Sequence, residues 1–239
     1  MQTLKFMPST KECELVVPAP KPAKIHIPDW YRGIKPPDKN NPVFDNEGVN
    51  TNTNVKMCQP FLDTFTTGYI QETHTDIHIQ VSEDLSENLK VDVSFPIGPE
   101  QLSWRHVPTL LGVTSEYYPI EFTWIQHWVP IAPKGYSVLH THPLNRLDLP
   151  FYSLNAVVDS DVFNHYPSGS YPFFLKKEFN NVLIPAGTPM FQMIPIKREP
   201  WETISEAYDE EKVLKKRTLI RKYIFDGYRD KFWQKKSYN

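Results

Sequence analysis

Glycine is scarce in this chain of 239 residues: there are 9, about half the average share, against 23 prolines, about twice it. Proline is poorly tolerated inside helices, and this composition excludes collagen-like, coiled-coil and low-complexity readings. Cysteine is nearly absent. Cys13 and Cys58 lie far apart with no CxxC, which excludes a zinc knuckle and a disulfide framework. One bridge between them stays open; reduced, partly buried thiols are the expectation. No apolar run approaches the roughly 18 residues of a membrane span, so no membrane partner is expected. The opening MQTLKFMPSTKECEL has no apolar signal core, which predicts a protein that is not secreted. Net charge is only −2, which argues against a chain-wide nucleic-acid footprint and for no specific nucleic-acid partner. GxGxxG, GxxxxGK[ST] and GxSxG do not occur, so dinucleotide, P-loop and hydrolase-elbow chemistry lack their motifs.

What is abundant is aromatic: 6 Trp, 12 Tyr and 14 Phe. Bulky rings pack well on pleated sheets. With stiff, proline-set turns they predict a mainly β fold. Residues 1–60 read as an extended proline-rich arm, with prolines at 18, 20, 22, 28, 36, 37 and 42. Ile27, Trp30, Tyr31 and Phe44 predict that the arm packs on the body or on a neighbouring subunit. Residues 61–200 read as a β-sandwich body. In YIQETHTDIHIQV, Ile77, Ile79 and Val81 share one face, and Glu72, His74, Asp76, His78 and Gln80 the other. NLKVDVSFPIG, PIEFTWIQHWVP, GYSVLHTH, FYSLNAVVD, PFFLKK, NVLIPAG and MFQMIPIKR follow as short strands, about eight to ten in all. Residues 201–239 read as an amphipathic helix from Thr203 to Phe225, capped by Thr203 or Ser205, and an aromatic tail. Charge is uneven. From Lys197 to Asn239 there are 12 basic and 8 acidic residues, net +4, while residues 1–196 carry 14 and 20, net −6.

The sharpest chemical pair is His140 and His142 in KGYSVLHTHP. Side chains at i and i+2 leave one face of a strand, so both imidazoles can address one metal ion. Alternatively they are buried polar residues hydrogen-bonded to backbone. His74, Asp76 and His78 offer a second set, but three alternate residues span about 13 Å, too far for one ion. A solvated outer-strand face, with Glu72 and Gln80 continuing the polar stripe, accounts for them better. The combined version brings His74 or His78 to His140 and His142, with Asp148 or Asp76 as the carboxylate, in the manner of an iron-oxygenase facial triad. Trp124, Gln126, His127 and Trp128 suit either a ring-binding cleft or a core. Lys215, Lys216, Arg217, Arg221 and Lys222 suit either phosphates or a solvated helix face. Cys58 reads as a structural thiol.

Gly135, the HxH at 140–142 and Pro185-Ala186-Gly187 in NVLIPAGTPMFQ resemble the two half-motifs of the cupin superfamily. That resemblance implies a jelly-roll, cupin-like double-stranded β-sandwich and a divalent iron, manganese, nickel or zinc held by one glutamate and three histidines. The chain departs from it: Gly135 to His140 is one residue short, only Asp148 stands near the glutamate position, and Met190 occupies the second-motif histidine position. More broadly, PSTKECELVVPAPKPA, PDWYRGI, MCQPFLDTFTTGYI, THPLNRLDLPFYSLNAVVDSD and IPAGTPMFQMIPIKR are similar to uncharacterised proteins of marine tailed phages, and distantly to a bacterial domain family of unknown function. This implies a phage-like origin in host cytoplasm or virion, with no catalytic residue to carry over.

Two readings follow. In the first, a non-enzymatic phage accessory or structural protein uses a β-sandwich for protein binding or self-association, for instance as a homodimer. In the second, a metal-dependent cupin-like enzyme acts as an oxygenase or isomerase of a small metabolite, with His140, His142, His74 and His78 as candidate ligands. Ligand completeness favours the first.

Overall fold

Period-two alternation becomes strand in most of the stretches that show it, because an antiparallel ladder can bury one face and satisfy every backbone group in its middle. The computed structural model describes residues 2–46, 51–83, 89–96, 98–106, 115–164, 170–221 and 227–239. Among them fourteen strands follow in chain order: β1 (Lys5–Pro8), β2 (Lys21–Pro22), β3 (Tyr69–Glu72), β4 (Ile77–Glu83), β5 (Leu89–Ser94), β6 (Leu102–His106), β7 (Ile120–Ile125), β8 (Trp128–Ile131), β9 (Tyr136–Thr141), β10 (Phe151–Ser153), β11 (Ala156–Val158), β12 (Ser170–Leu175), β13 (Asn181–Ile184) and β14 (Pro189–Lys197). The helices are α1 (Lys11–Val16), α2 (Asp29–Gly33), α3 (Gln59–Thr66), α4 (Glu210–Arg221) and α5 (Gly227–Lys231). The protein is mainly β, with several antiparallel sheets and a C-terminal helix.

Contacts divide the chain into two units. One is Met1–His26 with Gly68–Arg198, and it holds every described strand. Its sheets run β11-β9-β14-β3-β2, β10-β12-β7-β6 and β13-β4-β5, with β1 paired to β8. All three larger sheets feed one core: Val138, Met190, Phe191 and Met193 from the first, Phe122, Trp124, Phe151 and Phe173 from the second, Ile77, Ile79 and Ile184 from the third. The arrangement is sandwich-like. Trp124 lies flat on Phe173, ring centres 4.0 Å apart, and its indole N–H donates to Ser153 Oγ at 3.0 Å. Burying an indole demands such a partner. The start of the chain is held by ladders to β8 and β3 and by Trp128, whose N–H donates to the Val17 carbonyl at 3.1 Å.

The predicted strand through His74 is broken. Thr73 leaves the ladder to bond the turn at 185–188, where its Oγ1 donates to the Pro185 carbonyl at 2.8 Å and its N–H to that of Thr188 at 2.9 Å. Gln101 then takes over, accepting from the His74 N–H at 2.9 Å and donating to the Thr75 carbonyl at 3.1 Å. With the backbone satisfied this way, the chain passes from one sheet (β3) to another (β4), so His74 and His78 do not share a strand.

The second unit is Ile27–Thr67 with Glu199–Asn239. Trp30, Tyr31, Phe61 and Phe65 form an aromatic cluster, with Tyr31 and Phe65 ring centres 5.0 Å apart. Asp63 accepts from the Trp233 N–H at 2.9 Å and pairs with Lys236 at 2.6 Å, docking the aromatic tail. Helix α4 begins at Glu210 rather than at Thr203, because Asp209 takes the N-cap and accepts from the Lys212 N–H at 2.9 Å.

Candidate functional site

Strand β9 carries the histidine pair. Gly135 turns the chain into it with φ +84°, and its N–H donates to Asp161 at 2.8 Å. Arg198 pairs with the same carboxylate and closes the turn by donating its N–H to the Gly135 carbonyl at 2.8 Å. From this anchor β9 runs between β11 and β14, with His140 opposite Ala156 on one side and Met193 on the other.

His140 is 1 % exposed. Its ring stacks on Tyr171 of β12, centres 4.2 Å apart and planes 17° off parallel, and Tyr171 Oη lies 2.8 Å from His140 Nε2. The Gln126 amide donates to the Tyr171 oxygen and sits 3.5 Å from His140 Nε2. With the tyrosine O–H and the Gln126 amide both directed at Nε2, that nitrogen accepts and the imidazole proton is assigned to Nδ1, which is buried without a hydrogen-bond partner. Burial holds the His140 pKa down to about 3, and the Val138 carbonyl, outside hydrogen-bond geometry, offsets this only in part. Burial likewise pushes the Tyr171 hydroxyl above its ordinary range. Both groups are therefore neutral at pH 7.

They line a cavity of about 310 Å³. Gln126, His140 and Tyr171 meet Ser160 and Ser170 there, while Val129, Pro130 and Val158 form apolar walls. Among the described residues, no Asp, Glu, Lys or Arg lines it. Such a site holds an uncharged, mostly apolar group and orients it by one or two hydrogen bonds, since a charge there would lack a counter-charge.

The other candidates stand elsewhere. His142 spends both nitrogens on backbone: Nδ1 accepts from the Ser153 N–H at 3.2 Å and Nε2–H donates to the Arg146 carbonyl at 2.9 Å. Burial lowers its pKa to about 4. Asp148 is clamped by Arg146 at 2.8 Å. His74 lies beside His127, ring centres 5.2 Å apart, and burial first, then His127, lowers its pKa to about 4. His127 itself meets the Glu100 carbonyl at 2.8 Å. His78 bonds Asn181 at 2.6 Å, and Asp76 accepts from the Ala186 N–H at 2.8 Å. Met190 is a core residue. Among the described residues no three His, Cys, Asp or Glu side chains converge on one point. Of the candidate ligands, His142 has both nitrogens bonded and His140 turns Nε2 to a tyrosine, while His140 Nδ1 and both His74 nitrogens are buried without a hydrogen-bond partner; the glutamate and three histidines that the cupin resemblance implies are not brought together among the described residues. Trp124 is fully buried, so of the suspected ring-binding set only Gln126 lines the cavity. Tyr171 went unremarked in the sequence, where a lone tyrosine ahead of Pro172 carries no periodic signal. Cys13 is buried and Cys58 exposed, both free thiols.

No protein-family model matches the chain, and no curated protein is significantly similar to it.

Proposed function

We propose that this chain is a non-enzymatic binding protein, an accessory or structural component of phage type, whose cavity receives an uncharged apolar or aromatic group of its partner. The body is read as a jelly-roll, cupin-like sandwich. Supporting this, the two half-motifs lie side by side, with Thr141 opposite Gln192 and His140 opposite Met193 across β9 and β14.

The observation that carries the reading is the neutral Gln126–Tyr171–His140 relay lining an apolar cavity. A metal or general acid–base site keeps a donor nitrogen open or a pKa near the working pH. Here Nε2 faces a tyrosine hydroxyl, and the unpartnered Nδ1 belongs to no cluster of three His, Cys, Asp or Glu side chains among the described residues.

Saturation-transfer NMR with indole, benzyl alcohol and benzoate tests it. The two uncharged probes are expected to bind and to compete, and benzoate to be refused. Ala156→Trp, on the exposed edge strand β11 across from His140, should abolish binding while the far-ultraviolet circular dichroism stays unchanged. No binding by either neutral probe, or equal binding of benzoate, overturns the cavity assignment. One equivalent of iron, manganese, nickel or zinc that is lost in His140→Ala/His142→Ala replaces it with the enzyme reading.

A further inference from the structure

The C-terminal segment separates its charges by sign. Residues 199–211 carry six acidic side chains and no base; residues 212–239 carry ten bases and two acids. The acidic part also holds three large apolar side chains in water: Trp201 is 86 % exposed, Ile204 80 % and Tyr208 76 %. They sit in irregular backbone ahead of α4, and their spacing of three and four would align them on one face of a helix. Exposed tryptophan and tyrosine clustered this closely are the residue types that dominate protein interfaces. On α4, Lys212, Lys215, Lys216 and Arg217 are exposed beside a half-exposed Leu214.

Among the described residues, the ion pairs made between the acidic stretch and α4 are exposed. Glu206 meets Lys212 at 3.6 Å and Glu211 meets Lys215 at 2.6 Å, with all four side chains at least 58 % exposed. Such pairs contribute little and exchange readily.

We propose that residues 201–217 form a self-complementary surface through which two copies of this chain pair reciprocally, the acidic, apolar segment of one lying along the basic helix α4 of the other. Charge complementarity selects the second copy as occupant, since each chain carries both halves of the contact. An isologous pair then closes and leaves neither half unused. Trp201, Ile204 and Tyr208 leave water in the contact, and the flanking acids set its register against Lys212, Lys215, Lys216 and Arg217. What fills the cavity beside His140 has no part in this.

Sedimentation velocity on the full chain tests it, with two charge-reversed variants. One is Glu202→Lys/Glu206→Lys, which leaves the Asp209 cap of α4 in place, and the other Lys215→Glu/Lys216→Glu/Arg217→Glu. The wild type is expected to be dimeric at about 0.1 M salt and to dissociate at least tenfold more readily at about 1 M, where the Debye length falls from roughly 10 to 3 Å. Each variant alone should be monomeric, and the two mixed should form a heterodimer, because reversal on both sides restores both contacts. Trp201→Ala/Ile204→Ala/Tyr208→Ala should be monomeric with an unchanged melting temperature. A wild type that is monomeric at low salt, a variant that still dimerises alone, or a mixture that stays monomeric overturns the proposal.

Discussion

Tyr171 and His140 sit on strands of different sheets, yet the tyrosine hydroxyl lies 2.8 Å from the imidazole Nε2 with the rings stacked. One pair thus ties two sheets together and lines the cavity. Tyr171→Phe keeps the stack and removes the hydrogen bond, leaving Nε2 with only the amide of Gln126 at 3.5 Å. A buried acceptor stripped of its partner costs about 1–3 kcal/mol. Urea unfolding should show that loss with an unchanged slope, and a variant as stable as wild type would show that the bond contributes nothing.

Ser153 performs a similar service deeper in the core. It accepts from the Trp124 N–H at 3.0 Å and donates to the Met190 carbonyl at 2.7 Å, fully buried throughout. Ser153→Ala orphans both, so a destabilisation of about 2–4 kcal/mol is expected from two unsatisfied groups. Ser153→Thr keeps the hydroxyl and, through its extra methyl in a packed core, separates lost bonding from overpacking. Equal melting temperatures for Ser153→Ala and wild type would argue against the bonded network.

Local pattern carried the strands and little of the site. β7 was legible because IEFTWI alternates apolar and polar residues, and β9 because YSVLHT is a short aromatic and β-branched run between Gly135 and Pro143. The break after Glu72 was not, because it depends on Gln101, a side chain 27 residues from His74. Nor was the His140–Tyr171 pair, which depends on two sheets meeting across the core. The helix after Thr203 was displaced by a choice between caps: Asp209 outcompetes Thr203 and Ser205, and periodicity cannot rank them. The HxH spacing was legible, but the fate of each imidazole was decided by Tyr171, Ser153 and Arg146, none of which the motif contains.

Two glycines with the same backbone should respond differently to a methyl group. Gly68 and Gly187 both have positive φ, +73° and +82°. A Cβ on Gly68 would meet the Met193 carbonyl oxygen at 2.2 Å, whereas one on Gly187 meets nothing within 4 Å. Both alanine variants bear the left-handed penalty of about 1–2 kcal/mol. Only Gly68→Ala must also push β14 off its neighbour. Its melting temperature should fall well below that of Gly187→Ala, and similar values for the two would sink the steric argument.

Acid should loosen this protein before its carboxylates titrate. Burial lowers the pKa of His140 to about 3 and those of His74 and His142 to about 4, and it lowers His127 and His26 as well. In the unfolded chain a histidine titrates near 6.5, so below that pH the unfolded state binds more protons than the folded one. Their contribution is therefore complete above about pH 6.5 and is lost as pH falls through 6.5 towards 4. Each buried imidazole adds a slope of up to about 1.4 kcal/mol per pH unit in that window. Asp63, Asp159 and Asp161, held below the usual carboxylate range, lose their pairings only at lower pH. Urea midpoints measured from about pH 7.5 down to about pH 4.5 should decline steadily, and His140→Gln should flatten that decline even if it lowers the midpoint at neutral pH. A midpoint constant across this range would mean that the buried imidazoles are already charged, and the neutral relay from Gln126 through Tyr171 to His140 would fall with it.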